Sequence, residues 1–120
     1  MVEPIVKEHS MSSEKLVSES LLNVDFQSVK KAAMVLRALN HKLRQQLLKL
    51  IEDENKITVT EIYVKLRIEQ SVASQHLAIL RRAEFVQTSR DGKNIHYSLN
   101  TARLEEVNVF VKELLKNEDN

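Results

Sequence analysis

In the stretch QSVASQHLAILRRAEFV (70–86), Ser71, Ser74, Gln75, Ala78 and Arg82 follow one another at spacings of 3, 1, 3 and 4. Those intervals put them on one face of a helix, with Gln70 at its head. The face is short and mostly neutral, where a solvated helix usually carries Lys and Glu. Gln and Ser donate and accept hydrogen bonds without dehydrating a full charge. Base edges in the major groove of DNA offer matching acceptors and donors, and the groove is wide enough for a helix. A small residue such as Ala78 permits close approach. The plainer reading is a solvated face built of weak helix formers.

His76 borders that face and precedes Leu77. It has two readings: contact with a phosphate or base, or cover for the turn behind it. Further on, Arg90 and Lys93 flank Asp91-Gly92. Two cations at a hairpin tip suit phosphate or minor-groove contact, and a soluble turn is the plainer alternative. Asp91 is read as serving the turn itself. Lys42, Arg44 and Gln45 open another helix, where phosphate contact and solvated surface are both open.

Other chemistry finds little support. The chain has no cysteine, which removes disulfides and thiolate metal sites. Its four histidines, His9, His41, His76 and His96, fall in separate segments with no i, i+3 or i, i+4 pair. A site shared across a dimer, for instance His96 with an acid, is the remaining metal reading and is set aside, so no metal or cofactor is expected. No Ser-His-acid arrangement, Gly-rich phosphate loop or paired acids suggest an enzyme.

The elements that must position these residues follow from periodicity. Residues 1–12 show no clean period and 13–24 allow a short helix. From Asp25, a candidate cap, Val29, Ala32, Leu36 and Leu39 recur at three and four up to an interruption at Asn40. A second helix runs over about 41–54, on Leu43, Leu47, Leu48, Leu50 and Ile51. ITVTEIYVKL then holds a two-turn helix capped by Thr58 or Thr60, and RIEQ links it to a helix over about Ser71–Glu84. The inward stripe of that helix is Val72, Ala73, Leu77, Leu80 and Ala83. Short helix, turn and longer helix form a helix-turn-helix. Two strand-like runs, Phe85–Ser89 and Ile95–Leu99, enclose RDGKN and its Asp-Gly hairpin signal. Residues 101–116 form a last helix striped by Leu104, Val107, Val111, Leu114 and Leu115, with Thr101 as the candidate cap.

The expected fold is therefore mostly α with a small β-hairpin: a winged helix-turn-helix in the order α-α-α-α-β-β-α. Its domain spans 25–117, after an extension over 1–24 and before a tail at 118–120. With 120 residues and a single glycine and proline, the composition favours one small helical domain. Net charge is only +1, but residues 56–100 hold seven Lys and Arg against four Asp and Glu, between acidic ends. A local basic surface steers an anionic partner even when the total is near zero. No membrane-length apolar run and no basic-then-apolar leader pattern occur, so a cytoplasmic protein is expected.

Three segments resemble the ArsR (arsenical-repressor-like) family of winged-helix bacterial regulators. ALNHKLRQQLLKLI (38–51) is similar to the family's entry into its second helix, QSVASQHLAILRRAEFV (70–86) to its recognition helix, and RDGKNIHYSL (90–99) to its wing. The resemblance covers roughly residues 28–116. It implies a homodimer, built mainly from the first and last helices, that binds operator DNA and is released by an inducer. The sequence departs from the metal-sensing branches. Tyr63 and Lys65 stand where the arsenic and cadmium pattern has Cys-x-Cys, and Thr101, Arg103, Leu114 and Asn117 stand at the zinc-ligand positions.

Two apolar stripes exceed what a small monomer core needs. A twofold seam through Val29, Ala32 and Leu36 on the first helix, with Leu104, Val107, Val111 and Leu114 on the last, accounts for both, alongside core packing. Such a dimer sets two recognition helices about 34 Å apart. The expectation is a transcription regulator that represses by covering a palindromic operator. It binds double-stranded operator DNA as a homodimer through Gln70, Ser71, Ser74, Gln75, His76, Arg82, Arg90 and Lys93. The alternative is a winged-helix protein–protein interaction module without DNA binding.

Overall fold

The computed structural model describes residues 22–118. The chain divides into two units after Ala33, within helix α1 (Phe26–Leu39).

In the first unit, Asp25 opens α1 as expected. Its Oδ1 accepts from the backbone N–H of Gln27 at 3.1 Å and of Ser28 at 3.4 Å, and Oδ2 accepts from the Ser28 hydroxyl at 2.7 Å. These bonds hold the carboxyl below its ordinary value. The short helix read over 13–24 lies largely outside the described residues.

The second unit contains the end of α1, then α2 (Lys42–Glu54), β1 (Ile57–Thr58), α3 (Val59–Leu66), α4 (Gln70–Arg82), β2 (Val86–Asp91), β3 (Asn94–Leu99) and α5 (Thr101–Leu114). The expected winged helix-turn-helix is present. Asn40 breaks the helix, and His41 caps α2 by accepting the Leu43 N–H on Nδ1 at 3.1 Å. The choice between Thr58 and Thr60 resolves to Thr58. Its hydroxyl accepts the Glu61 N–H at 3.2 Å while Glu61 Oε1 accepts the Thr58 N–H at 3.0 Å, a reciprocal capping box.

Three local readings need correction. The last helix is capped by Asn100, not Thr101: Asn100 Oδ1 accepts from Arg103 N–H at 3.2 Å. Asn is a good cap, and here its Nδ2 also donates to Glu84 O at 2.9 Å. The fourth helix runs from Gln70 to Arg82, because Glu84 takes a positive φ of 68° and turns the chain toward β2. The hairpin is longer than its β-prone runs: Arg90 pairs with Ile95 and Asp91 with Asn94, which leaves only Gly92 and Lys93 in the turn. Gly92 alone supplies the positive φ, 66°, as a type II′ turn requires at its first central residue.

The sheet has a third strand that periodicity did not reveal. β1 pairs antiparallel with β3, Ile57 opposite Tyr97 and Thr58 opposite His96, in the order β1-β3-β2. Two residues are too few to carry a period. The core gathers Leu47 and Ile51 of α2, Ile57 of β1, Ile62 of α3, Ala73, Leu77 and Leu80 of α4, and Phe85 and Val86 at the hairpin entry. Ala38, Ala83 and Val107 complete it. Burial of these side chains, at roughly 1.5–3 kcal/mol for each large one, fixes α4 against the body of the unit.

Candidate nucleic-acid interface

α4 divides cleanly. Ala73, Leu77 and Leu80 are fully buried, whereas Gln70, Ser71, Ser74, Gln75, Ala78, Arg81 and Arg82 are exposed. The residues read as a surface for base edges thus share one open face, with His76 as the exception. Glu69 precedes the helix without capping it through its side chain.

Ser74, Ala78, Arg81 and Arg82 line a shallow groove with Tyr97 of β3. Arg81 and Tyr97 were missed by sequence reasoning. Arg81 lies three and seven residues beyond Ala78 and Ser74, so helical spacing could have found it. Tyr97 could not be placed without the sheet register. At the wing, Arg90 is exposed near the end of β2 and Lys93 is exposed in the turn. None of Arg81, Arg82, Arg90 and Lys93 joins an ion pair among the described residues.

The base of the wing is braced from α5. Arg103 Nε donates to Ala83 O at 3.1 Å, its guanidinium lies 5.9 Å from the centre of the Phe85 ring, and Asn100 N–H donates to Phe85 O at 2.9 Å. These contacts fix the junction between α4 and β2, and so the angle between helix and wing.

Arg44 corrects its reading. It is neither a phosphate contact nor solvated surface, being only 7% exposed. Its Nε donates to Ala38 O at 2.6 Å, its Nη2 to Arg37 O at 3.1 Å, and its Nη1 lies 3.1 Å from His76 Nδ1. His76 is correspondingly half-buried, and its ring centre lies 4.7 Å from that of His41. Burial, then the nearby His41 and Arg44, lowers the His76 pKa from the ordinary 6.5. Among the described residues no three His, Asp or Glu side chains gather where one metal ion would sit. Glu61 lies within electrostatic reach of His96 but is engaged by Thr58.

The residues read as a dimer seam differ in exposure. Val107 is 8% exposed and belongs to the core, Leu36, Leu104 and Val111 are half-buried against it, and Val29, Ala32 and Leu114 are exposed. Val109, Phe110 and Leu115 are further exposed apolar residues on or beside α5.

A helix-turn-helix whose second helix leads into a three-stranded wing defines a winged helix-turn-helix protein, and the open polar face beside a basic hairpin is suited to a nucleic-acid duplex. Residues 41–88 match the family model described as bacterial regulatory protein, arsR family. The chain is 35% identical to the transcriptional activator HlyU of Vibrio cholerae over 74 residues, covering 62% of this chain and 68% of that one. It is 28% identical to the transcriptional repressor PagR of Bacillus anthracis over 82 residues, covering 68% and 82%. Among solved structures, HlyU from Vibrio vulnificus CMCP6 superposes with a TM-score of 0.55 at 34% identity, covering 75% of this chain and 90% of that one. This chain belongs to the ArsR family of bacterial transcriptional regulators. It is a DNA-binding regulator and not an enzyme. Among the described residues no helix is long and apolar enough to cross a membrane.

Proposed function

We propose that this chain acts in the cytoplasm as a homodimeric repressor, seated on a palindromic operator and blocking the polymerase sterically. The observation that carries the reading is the exposed neutral face of α4, from Gln70 to Ala78, together with the exposed cations of the wing. Ser71, Ser74 and Gln75 read base edges, with Gln70 at the helix entrance. Arg82, Arg90 and Lys93 meet phosphates, as does the groove residue Arg81.

The dimer reading is supported by exposed apolar side chains that a monomer leaves in water: Val29 on α1, and Val109, Phe110 and Leu114 on α5. Titration of promoter-proximal duplexes at several salt concentrations tests the whole. Affinity should fall linearly on a log–log plot, with a slope set by the number of phosphates neutralised. Absence of binding to every duplex at low salt would leave the wing as a protein-interaction module. Repression is tested by moving the bound sequence from overlap with a promoter to a position upstream of it. A repressor that acts by occlusion loses its effect on transcription with that move.

A further inference from the structure

Arg44 carries its charge into the protein without a carboxylate partner among the described residues. Such burial is unfavourable unless the guanidinium nitrogens are hydrogen-bonded. Two edges of the guanidinium are met by the carbonyls of Arg37 and Ala38. These carbonyls end α1, where the helix dipole favours a cation. The third edge reaches α4, at His76 Nδ1. Arginine only donates, so that nitrogen must be an acceptor and the His76 ring must be neutral, with its proton on Nε2. Among the described residues, the groups acting electrostatically on His76 are His41, the cap of α2, and Arg44 within it, and neither is an anion. His76 lies next to Gln75 of the open face and next to Leu77 of the core. A tether at this position sets the rotation of α4 about its own axis.

We propose that Arg44 and His76 are positioning residues for operator discrimination: the neutral His76 ring, held by Arg44, fixes the presentation of Ser74 and Gln75, and protonation of His76 releases it. The proposal rests on the reading of α4 as the base-contacting helix. Protonation removes the acceptor and places a second cation against Arg44. The wing's phosphate contacts, Arg90 and Lys93, do not depend on this tether, whereas Arg81 and Arg82 move with α4, so affinity for random DNA falls less than affinity for the operator. The direction of the His76 shift keeps the ring neutral above pH 6.5 and moves its protonation below that value.

The test uses the full chain, a duplex selected by the protein from a random library, and a scrambled duplex of equal length. In the wild type the ratio of the two affinities should fall about tenfold between about pH 7.5 and pH 5, the worth of one charge-assisted hydrogen bond. His76→Asn keeps an acceptor near the Nδ1 position but does not titrate. It should hold the ratio within about twofold across the same range. His76→Leu should show the lowered ratio at both pH values, with binding to the scrambled duplex reduced less than binding to the selected one. Ring ¹⁵N shifts of His76 in the wild type supply a readout that needs no variant, and their midpoint should match that of the ratio. A flat wild-type ratio, an equally steep fall in His76→Asn, or midpoints about one pH unit apart would each overturn the proposal. A wild type that fails to discriminate even at pH 7.5 overturns the base-contacting reading of α4 itself.

Discussion

At the scale of residues, the open face of α4 makes a separation of roles testable. Gln75→Ala should cost about 1–3 kcal/mol on the selected duplex and little on random DNA, because a base edge loses its partner. Lys93→Ala should weaken both alike and lower the salt slope by about one, because only a phosphate contact is lost. Competition binding at several salt concentrations measures both, and an unchanged specificity ratio in Gln75→Ala would remove Gln75 from the reading surface. His76 also links stability to pH. Its folded pKa lies below the ordinary 6.5, so the unfolded chain binds more protons in the interval between the two. Its contribution to stability is complete above pH 6.5 and is lost as pH falls through the folded value. Urea midpoints should therefore drop as pH falls below 6.5, and His76→Asn should lessen that drop. Most of the open face was legible from residue type and spacing alone. Arg44 and His76 were not, because a bond between residues 32 apart in sequence leaves no periodic trace.

At the scale of elements, local chemistry decides where each helix begins. The Thr58–Glu61 box starts α3, which leads into the turn before α4. Thr58→Ala should cost about 1 kcal/mol and lower Tm by about 4–8 °C, read by circular dichroism. Thr58 holds the Glu61 carboxyl below its ordinary 4.5, so this stabilisation is present above pH 4.5 and fades as pH falls through the lowered value. In the wing, Gly92→Ala would meet no atom within 4 Å, so its cost is that of the positive φ alone. That cost is about 1–2 kcal/mol, and DNA affinity should fall only as far as the tip frays. The Asp-Gly pair announced this hairpin from the sequence. Its length was hidden because Arg90, Asp91 and Asn94 have weak strand preference and are recruited by pairing with the opposite strand.

At the scale of the whole molecule, the distribution of apolar surface argues for assembly. Leu114 is 63% exposed and Phe110 48%, on a helix whose Val107 is already in the core. Leu114→Glu should shift the protein from dimer to monomer in light scattering and weaken binding to a palindromic duplex by well over tenfold, since two half-sites no longer bind together. A monomeric wild type would refute the seam. The likeness to one relative named an activator and another named a repressor leaves the sign of regulation to where the bound site lies relative to the promoter.

The sequence by itself determined the winged helix-turn-helix, because amphipathic spacing, caps and an Asp-Gly turn act over neighbouring residues. It also determined the neutral composition of the α4 face, since burial of Ala73, Leu77 and Leu80 leaves the opposite residues outside. Only the tertiary structure decided that Ile57–Thr58 forms a strand, that Tyr97 joins Arg81 at the groove, and that Arg44 turns inward to His76. Each of these depends on partners distant in the chain. The stretch QSVASQH thus contains both a face that sequence spacing exposes and a tether that only packing reveals.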